Sequence, residues 1–315
     1  MTFRKIIGFG GSSYVVSLPK EWVDKNKLKK GDDITIEEEG DWLRVGPHNM
    51  KIVKTPKEIT IEYKENPRDL KTRLLHAYIN NYSVINIKKP KIEKHTQEIR
   101  MVISNFIGLD VVEQKDDRLI VNDVLDISNI SVYNHLRRMD RTVLSMAEDV
   151  SLILTGKENK DRLEILNQKD EDVNKLCNLL LKILRRAHNN NDMKILGLTS
   201  EEIFYYWELV ISVEEVADQL KRLVRSIKGK VDSPLIELFN SSMEYYKTAM
   251  KANYTKDDEL AVGIMIQRKE FSSKCDVIAN KLDYTQYLMV EKIKTIYNFS
   301  GSIAKTLLKL GTISK

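Results

Sequence analysis

From residue 129 onward one pattern dominates the chain: apolar residues spaced alternately four and three apart. Val132, Leu136, Met139, Val143, Met146, Val150 and Ile153 form the first such seam. That spacing puts them on one face of a helix, and a face this long must be buried against neighbours. Thr155-Gly156 ends the helix. A second seam runs Leu163, Leu166, Asp170, Val173, Cys177, Leu180, Leu184, Ala187. The third follows a capping-type start at Thr199-Ser200-Glu201-Glu202 and steps Ile203, Tyr206, Val210, Val213, Ala217, Leu220, Val224, Ile227. Ser233-Pro234 then opens a helix over about 234–252, and helices over about 257–282 and 284–312 complete the set. Short turns between long amphipathic helices imply antiparallel neighbours, hence two tandem three-helix bundles, residues 129–230 and 231–315. Thirteen glycines and six prolines in 315 residues fit long helices.

Residues 50–128 read differently. Ile59–Tyr63 and Val84–Ile87 alternate as strands, and Asn66-Pro67-Arg68-Asp69 caps a helix of about 68–80. A helix over Lys94–Ile107 ends at Gly108, and strands at Val111–Glu113 and Leu119–Val121 turn at Lys115-Asp116-Asp117. This β-α-β-α-β-β order predicts a compact α+β layer, by default a spacer or dimer contact. It holds no glycine-rich phosphate loop, metal-ligand cluster or nucleophile motif.

The first 49 residues are a small β unit. A short β segment runs through Gly10-Gly11-Ser12-Ser13 into Leu18-Pro19-Lys20-Glu21-Trp22, where Pro19 suits the first turn of a brief helix. After the turn at Gly31-Asp32-Asp33, strands at Ile34–Glu38 and Trp42–Val45 pair across Glu39-Gly40-Asp41. So small a unit cannot bury its own apolar faces, which predicts a second copy of the chain, with Trp22 and Trp42 in the scarce core. Charge is concentrated here. Residues 1–30 carry seven basic side chains, Arg4, Lys5, Lys20, Lys25, Lys27, Lys29 and Lys30, against Glu21 and Asp24, an excess equal to the whole chain's +5. Dimerisation would double that local field, and phosphate neutralisation with counterion release would supply affinity for nucleic acid.

The motif order of this segment resembles the AbrB/SpoVT/MazE family of swapped-hairpin DNA-binding domains. Arg4-Lys5-Ile6, the Gly10–Ser17 stretch, Leu18-Pro19-Lys20-Glu21-Trp22 and Leu28-x-x-Gly31-Asp32-x-Ile34 carry the likeness over about residues 1–47. The resemblance implies that two chains exchange hairpins and that basic residues near the first strand and its loop meet DNA. The expected DNA-binding residues are Arg4, Lys5, Gly10, Gly11, Ser12, Ser13 and Lys20.

Within the first bundle, Asp170 occupies a seam position where an aliphatic residue belongs, and Glu214 and Asp218, four apart, project from one face of the third helix. A buried carboxylate must be paired, protonated or metal-bound. Oxygen ligands on facing helices suit a hard or first-row transition cation, while Arg185, Arg186 or Lys221 could serve as counter-charges instead. Val213-Glu214-Glu215-Val216-Ala217-Asp218 is similar to the Glu-Arg-Ile-Gly-Asp signature of PhoU proteins, and Asp170-Glu171-Asp172-Val173-Asn174 looks like the acidic motif of the preceding helix. With the N-terminal likeness, the arrangement looks like archaeal PhoU-like regulators of phosphate uptake that carry an AbrB-type domain. The resemblance implies tandem three-helix bundles and a divalent or iron-type metal ion at Asp170, Glu214 and Asp218. Asn174 replaces the second carboxylate of the first motif. The second bundle has Asn298-Phe299-Ser300-Gly301-Ser302 without an acid, and keeps Ser272 and Asp276 as half of the other motif.

Composition excludes several classes. No apolar run approaches the ~20 residues of a membrane span, and Met1–Ile7 lacks a signal peptide's apolar core. Cys177 and Cys275 lie inside helical patterns, so two buried thiols in a reducing cytoplasm are expected rather than a disulfide. His48, His76, His95, His135 and His188 are scattered without metal-ligand spacing, and Tyr205, Tyr206 and Trp207 suit packing better than base stacking. The expected molecule is thus multidomain and mainly α. A small swapped-hairpin β domain precedes the α+β layer, 50–128, and the two PhoU-like bundles. It is expected to be a cytoplasmic, homodimeric, non-enzymatic DNA-binding regulator linked to phosphate homeostasis, docking a phosphate transporter or signalling kinase. The alternative is a protein–protein adaptor whose N-terminal domain only dimerises. An antitoxin-like module and a metal-dependent enzyme rank lower.

Overall fold

The computed structural model describes residues 3–39, 41–48, 56–157 and 162–310. The chain divides into two compact units, Met1–Thr55 and Pro56–Lys315.

The first unit is two hairpins and a turn of helix. β1 (Ile7–Phe9) pairs antiparallel with β2 (Ser13–Val15), Phe9 opposite Ser13, which leaves Gly10, Gly11 and Ser12 as a three-residue loop. Gly10 has φ +68°, the left-handed conformation such a loop requires and glycine adopts without a steric cost. α1 (Lys20–Lys25) follows the extended Pro19, and β3 (Ile34–Glu39) pairs antiparallel with β4 (Trp42–Pro47). None of the described residues of this unit is buried. Its strands draw on β-branched and aromatic residues, yet Ile7, Phe9, Tyr14, Ile36 and Trp42 stay more than half exposed.

The second unit opens with the expected layer. β5 (Glu58–Glu62), α2 (Pro67–Ile79), β6 (Val84–Lys88), α3 (Thr96–Ile103), β7 (Leu109–Lys115) and β8 (Arg118–Asp123) build a four-stranded sheet in the order β5-β6-β8-β7. β5 and β6 are parallel across the α2 crossover, while β8 is antiparallel to both its neighbours. The Asn66 side chain caps α2 by accepting from the N–H groups of Arg68 and Asp69 at 3.0 and 3.2 Å. Alternation sends Ile61, Ile85, Ile87, Leu119 and Val121 to the helix side, where Leu74, Tyr78 and Ile99 meet them in a core of the layer's own. α3 is shorter than expected: residues 92–95 wind as a tighter 3-10 turn, and the chain leaves the helix before Phe106 and Gly108.

The rest is helical: α4 (Val132–Leu154), α5 (Arg162–Arg186), α6 (Asn190–Leu196), α7 (Ser200–Ser226), α8 (Ser233–Thr255), α9 (Asp258–Ala279) and α10 (Tyr284–Lys309). α6 was not expected. It is a seven-residue helix capped by the Asn189 side chain and stopped by Gly197 at φ +63°. α4, α5 and α7 pack mutually, as do α8, α9 and α10, but α7 also packs against α10 across the two triads as extensively as α8 does within one. α7 can do this because it carries two seams. Tyr205, Leu209, Ser212, Val216, Gln219 and Leu223 step by four and three beside the first seam, and all six are buried. One continuous apolar core results. Cys177 and Cys275 are both buried, unpaired thiols.

Candidate nucleic-acid interface and the acidic cluster

Arg4 and Lys5 lie in the extended segment that leads into β1, Gly10, Gly11 and Ser12 form the β1–β2 loop, Ser13 opens β2, and Lys20 is the first residue of α1. All seven are exposed. The hairpin therefore presents a glycine-bearing tip free of bulky side chains, which lets backbone N–H groups approach a phosphate closely. The unit also exposes large apolar side chains, Phe3, Ile6, Ile7, Phe9 and Tyr14 in its first part and Ile36, Trp42 and Leu43 in its second hairpin, each more than half exposed. Trp42 is 74% exposed, so within one chain it is not the core residue the sequence suggested, whereas Trp22 is partly buried. A hairpin alone has no second apolar layer to put over it.

The three carboxylates expected to bind metal do lie around one junction, where α5 faces α7, but a lysine stands among them. Lys221 Nζ is 2.5 Å from Asp170 Oδ2 and 3.1 Å from Asp218 Oδ1, and Arg222 reaches Asp218 Oδ2 at 2.6 Å. Asn174 Nδ2 donates to the same Asp170 oxygen at 3.2 Å. Asp170 thus has a cationic and a neutral hydrogen-bond donor within the chain. Among the described residues no group of three or more His, Cys, Asp or Glu side chains is placed to hold a metal ion. Glu214 is left differently. Burial first, then the neighbouring charges of Glu215, Asp218 and Asp170, push its carboxyl up to about 7, with Lys221 opposing. Burial also raises the Cys177 thiol beside it.

Two buried polar sites escaped the sequence reading. Asp140 of α4, 6% exposed, accepts from the hydroxyls of Tyr246 at 2.9 Å and Tyr254 at 3.0 Å, both on α8, and burial raises its pKa. It ties the two helix triads together. Lys182 of α5 is fully buried, with Nζ 2.7 Å from Asp123 Oδ2 at the end of β8 and 4.3 Å from the centre of the Tyr78 ring. Neither residue falls on a seam or in a motif, and their partners lie 59 to 114 positions away, so no local signal marks them.

Residues 9–52 match a protein-family model described as antidote-toxin recognition MazE, bacterial antitoxin. The match ends before the α+β layer begins, so it bears on the N-terminal unit. No curated protein and no solved structure matches the chain. No helix among the described residues is long and apolar enough to cross a membrane.

Proposed function

We propose that the protein is a dimeric, DNA-binding transcription regulator of the cytoplasm, whose N-terminal unit binds the duplex and whose helical body receives a signal. The observation that carries this reading is the N-terminal unit itself. It is MazE-like over residues 9–52, sets seven basic side chains against two acids within its first 30 residues, and has no buried residue among those described. A second copy exchanging hairpins would cover the apolar surface around Phe9, Trp42 and Leu43. It would also bring two sets of Arg4, Lys5 and Lys20 onto one face. Arg4 and Lys5 would neutralise phosphates, and the Gly10–Ser13 tip would fix the register by backbone contact.

For the helical body the reading rests on sequence likeness. The Val213–Asp218 segment is similar to PhoU, which makes phosphate status the signal and a phosphate transporter or signalling kinase the docking partner. Lys221 takes the place of a metal ion in this reading, and the acidic cluster works through protonation and ion pairing.

Retention of the full chain on duplex DNA across a salt series tests the reading. Binding should weaken steeply with salt, and Arg4→Ala with Lys5→Ala should lower the log–log slope by about 0.9 for each phosphate contact removed. Absence of retention at low salt would leave the protein an adaptor that uses its N-terminal unit only to dimerise.

A further inference from the structure

The second unit contains two apolar cores that do not merge. The layer's core gathers residues between Ile61 and Val121, and the helical core begins at Val132. α2 lies against α5 where they meet. At that seam stands Lys182, a fully buried cation in an otherwise apolar stretch of α5. Its ammonium is held by three groups of the layer: the Asp123 carboxylate at 2.7 Å, the Tyr78 carbonyl at 3.5 Å and the face of the Tyr78 ring. Asn81, next to the end of α2 and left-handed at φ +56°, donates from Nδ2 to the Lys182 carbonyl at 3.3 Å. The acceptors are themselves fixed. Tyr78 donates its hydroxyl to the Ile107 carbonyl at 2.7 Å and leans on Phe106, and the backbone N–H of Asp123 donates to the Ser83 carbonyl at 3.0 Å.

An apolar contact tolerates sliding, because its energy depends on area and not on direction. A buried cation does not. Displacing it by an ångström or two strands a desolvated charge, which costs more than the pair gains, so the pair admits one relative placement of the elements that carry it. We propose that Lys182 and Asp123 form a latch that locks the α+β layer onto the helical body in a single orientation, and that releasing it lets α2 and β8 open locally while the helical core stays folded. The latch lies on the same helix as Asp170, 12 positions or about 18 Å along α5, so a change at the acidic cluster has a rigid route to the layer.

Native-state hydrogen exchange on the full chain tests this. The double variant Lys182→Met/Asp123→Leu removes both charges and leaves apolar side chains that can pack, a replacement that proteins often accept without loss of stability. In it the amides of α2 and β8 should exchange at least tenfold faster than in the native chain, while those of α8 and α10 keep their native rates. Unchanged rates in α2 and β8, or an equal rise in α8 and α10, would overturn the latch. Should the double variant fail to fold, Lys182→Met removes the ammonium alone and carries the same comparison, with the same two outcomes counting against it.

Discussion

Lys221 decides how the acidic cluster is read. Asp170 was visible in the sequence because it interrupts an apolar seam, and Lys221 was one of three cations within reach of it. The choice among them depends on how α5 and α7 are rotated, which spacing cannot specify. With Asp170 only 5% exposed and Lys221 as its cation, Lys221→Met should cost about 3 kcal/mol, read from the urea midpoint at constant slope. Glu214 gives the cluster a pH dependence of known sign. Its folded pKa, about 7, lies above the unfolded value, so the folded state holds a proton that the unfolded state has released between about pH 4.5 and 7. Stability should therefore fall as pH rises through that window and level off above it. Glu214→Gln removes the ionisable group: the variant should match the native chain near pH 4 and exceed it near pH 8 by about 1 kcal/mol, allowing for partial solvent screening. Melting temperatures across the pH series would show it; a constant difference would exclude Glu214 as the source.

At the level of elements, most of the molecule was legible. The β-α-β-α-β-β order and the helix seams survive almost unchanged, because each rests on a periodicity that the elements retain when packed. The failures have two causes, short elements and contacts distant in sequence. α6 is too short to show a seam. The second face of α7, from Tyr205 to Leu223, was readable as a further four-three series, but it acquires meaning only when α10 lies against it. Gly108 illustrates the limit at one position. Sequence marks it as a helix stop, and it does adopt φ +84° after α3, yet a Cβ there would also lie 2.9 Å from Leu125 Cβ. That neighbour is next to backbone and cannot swing away. Gly108→Ala should therefore cost about 2–3 kcal/mol, the sum of left-handed strain and overpacking, whereas Gly156→Ala, left-handed in open space, should cost about 1 kcal/mol. Thermal unfolding of the two variants side by side separates the terms.

For the molecule as a whole, the contrast between its two units is the informative fact. The second unit has buried cores, capped helices and paired buried charges. Among its described residues the first unit has none of these, although its strands too carry aromatic and β-branched side chains. Sequence length alone implied that deficit; only the exposure of Phe9, Trp42 and Leu43 shows which residues bear it. A hairpin unit without a core should be folded only as an assembly, so its stability must depend on protein concentration, while that of the second unit must not. Phe9→Lys with Trp42→Lys places charges on the surface that a second copy would cover. The native chain should sediment as a dimer and the full-length variant as a monomer, which should also lose retention on DNA even though Arg4, Lys5 and Lys20 are intact. Its helical circular dichroism and main melting transition should stay native, because the cores from Ile61 to Leu310 contain no residue of the first unit. A variant that remains dimeric would move the dimer contact out of the hairpins and into the second unit, and the DNA-binding face would then have to be built from one copy of Arg4, Lys5 and Lys20.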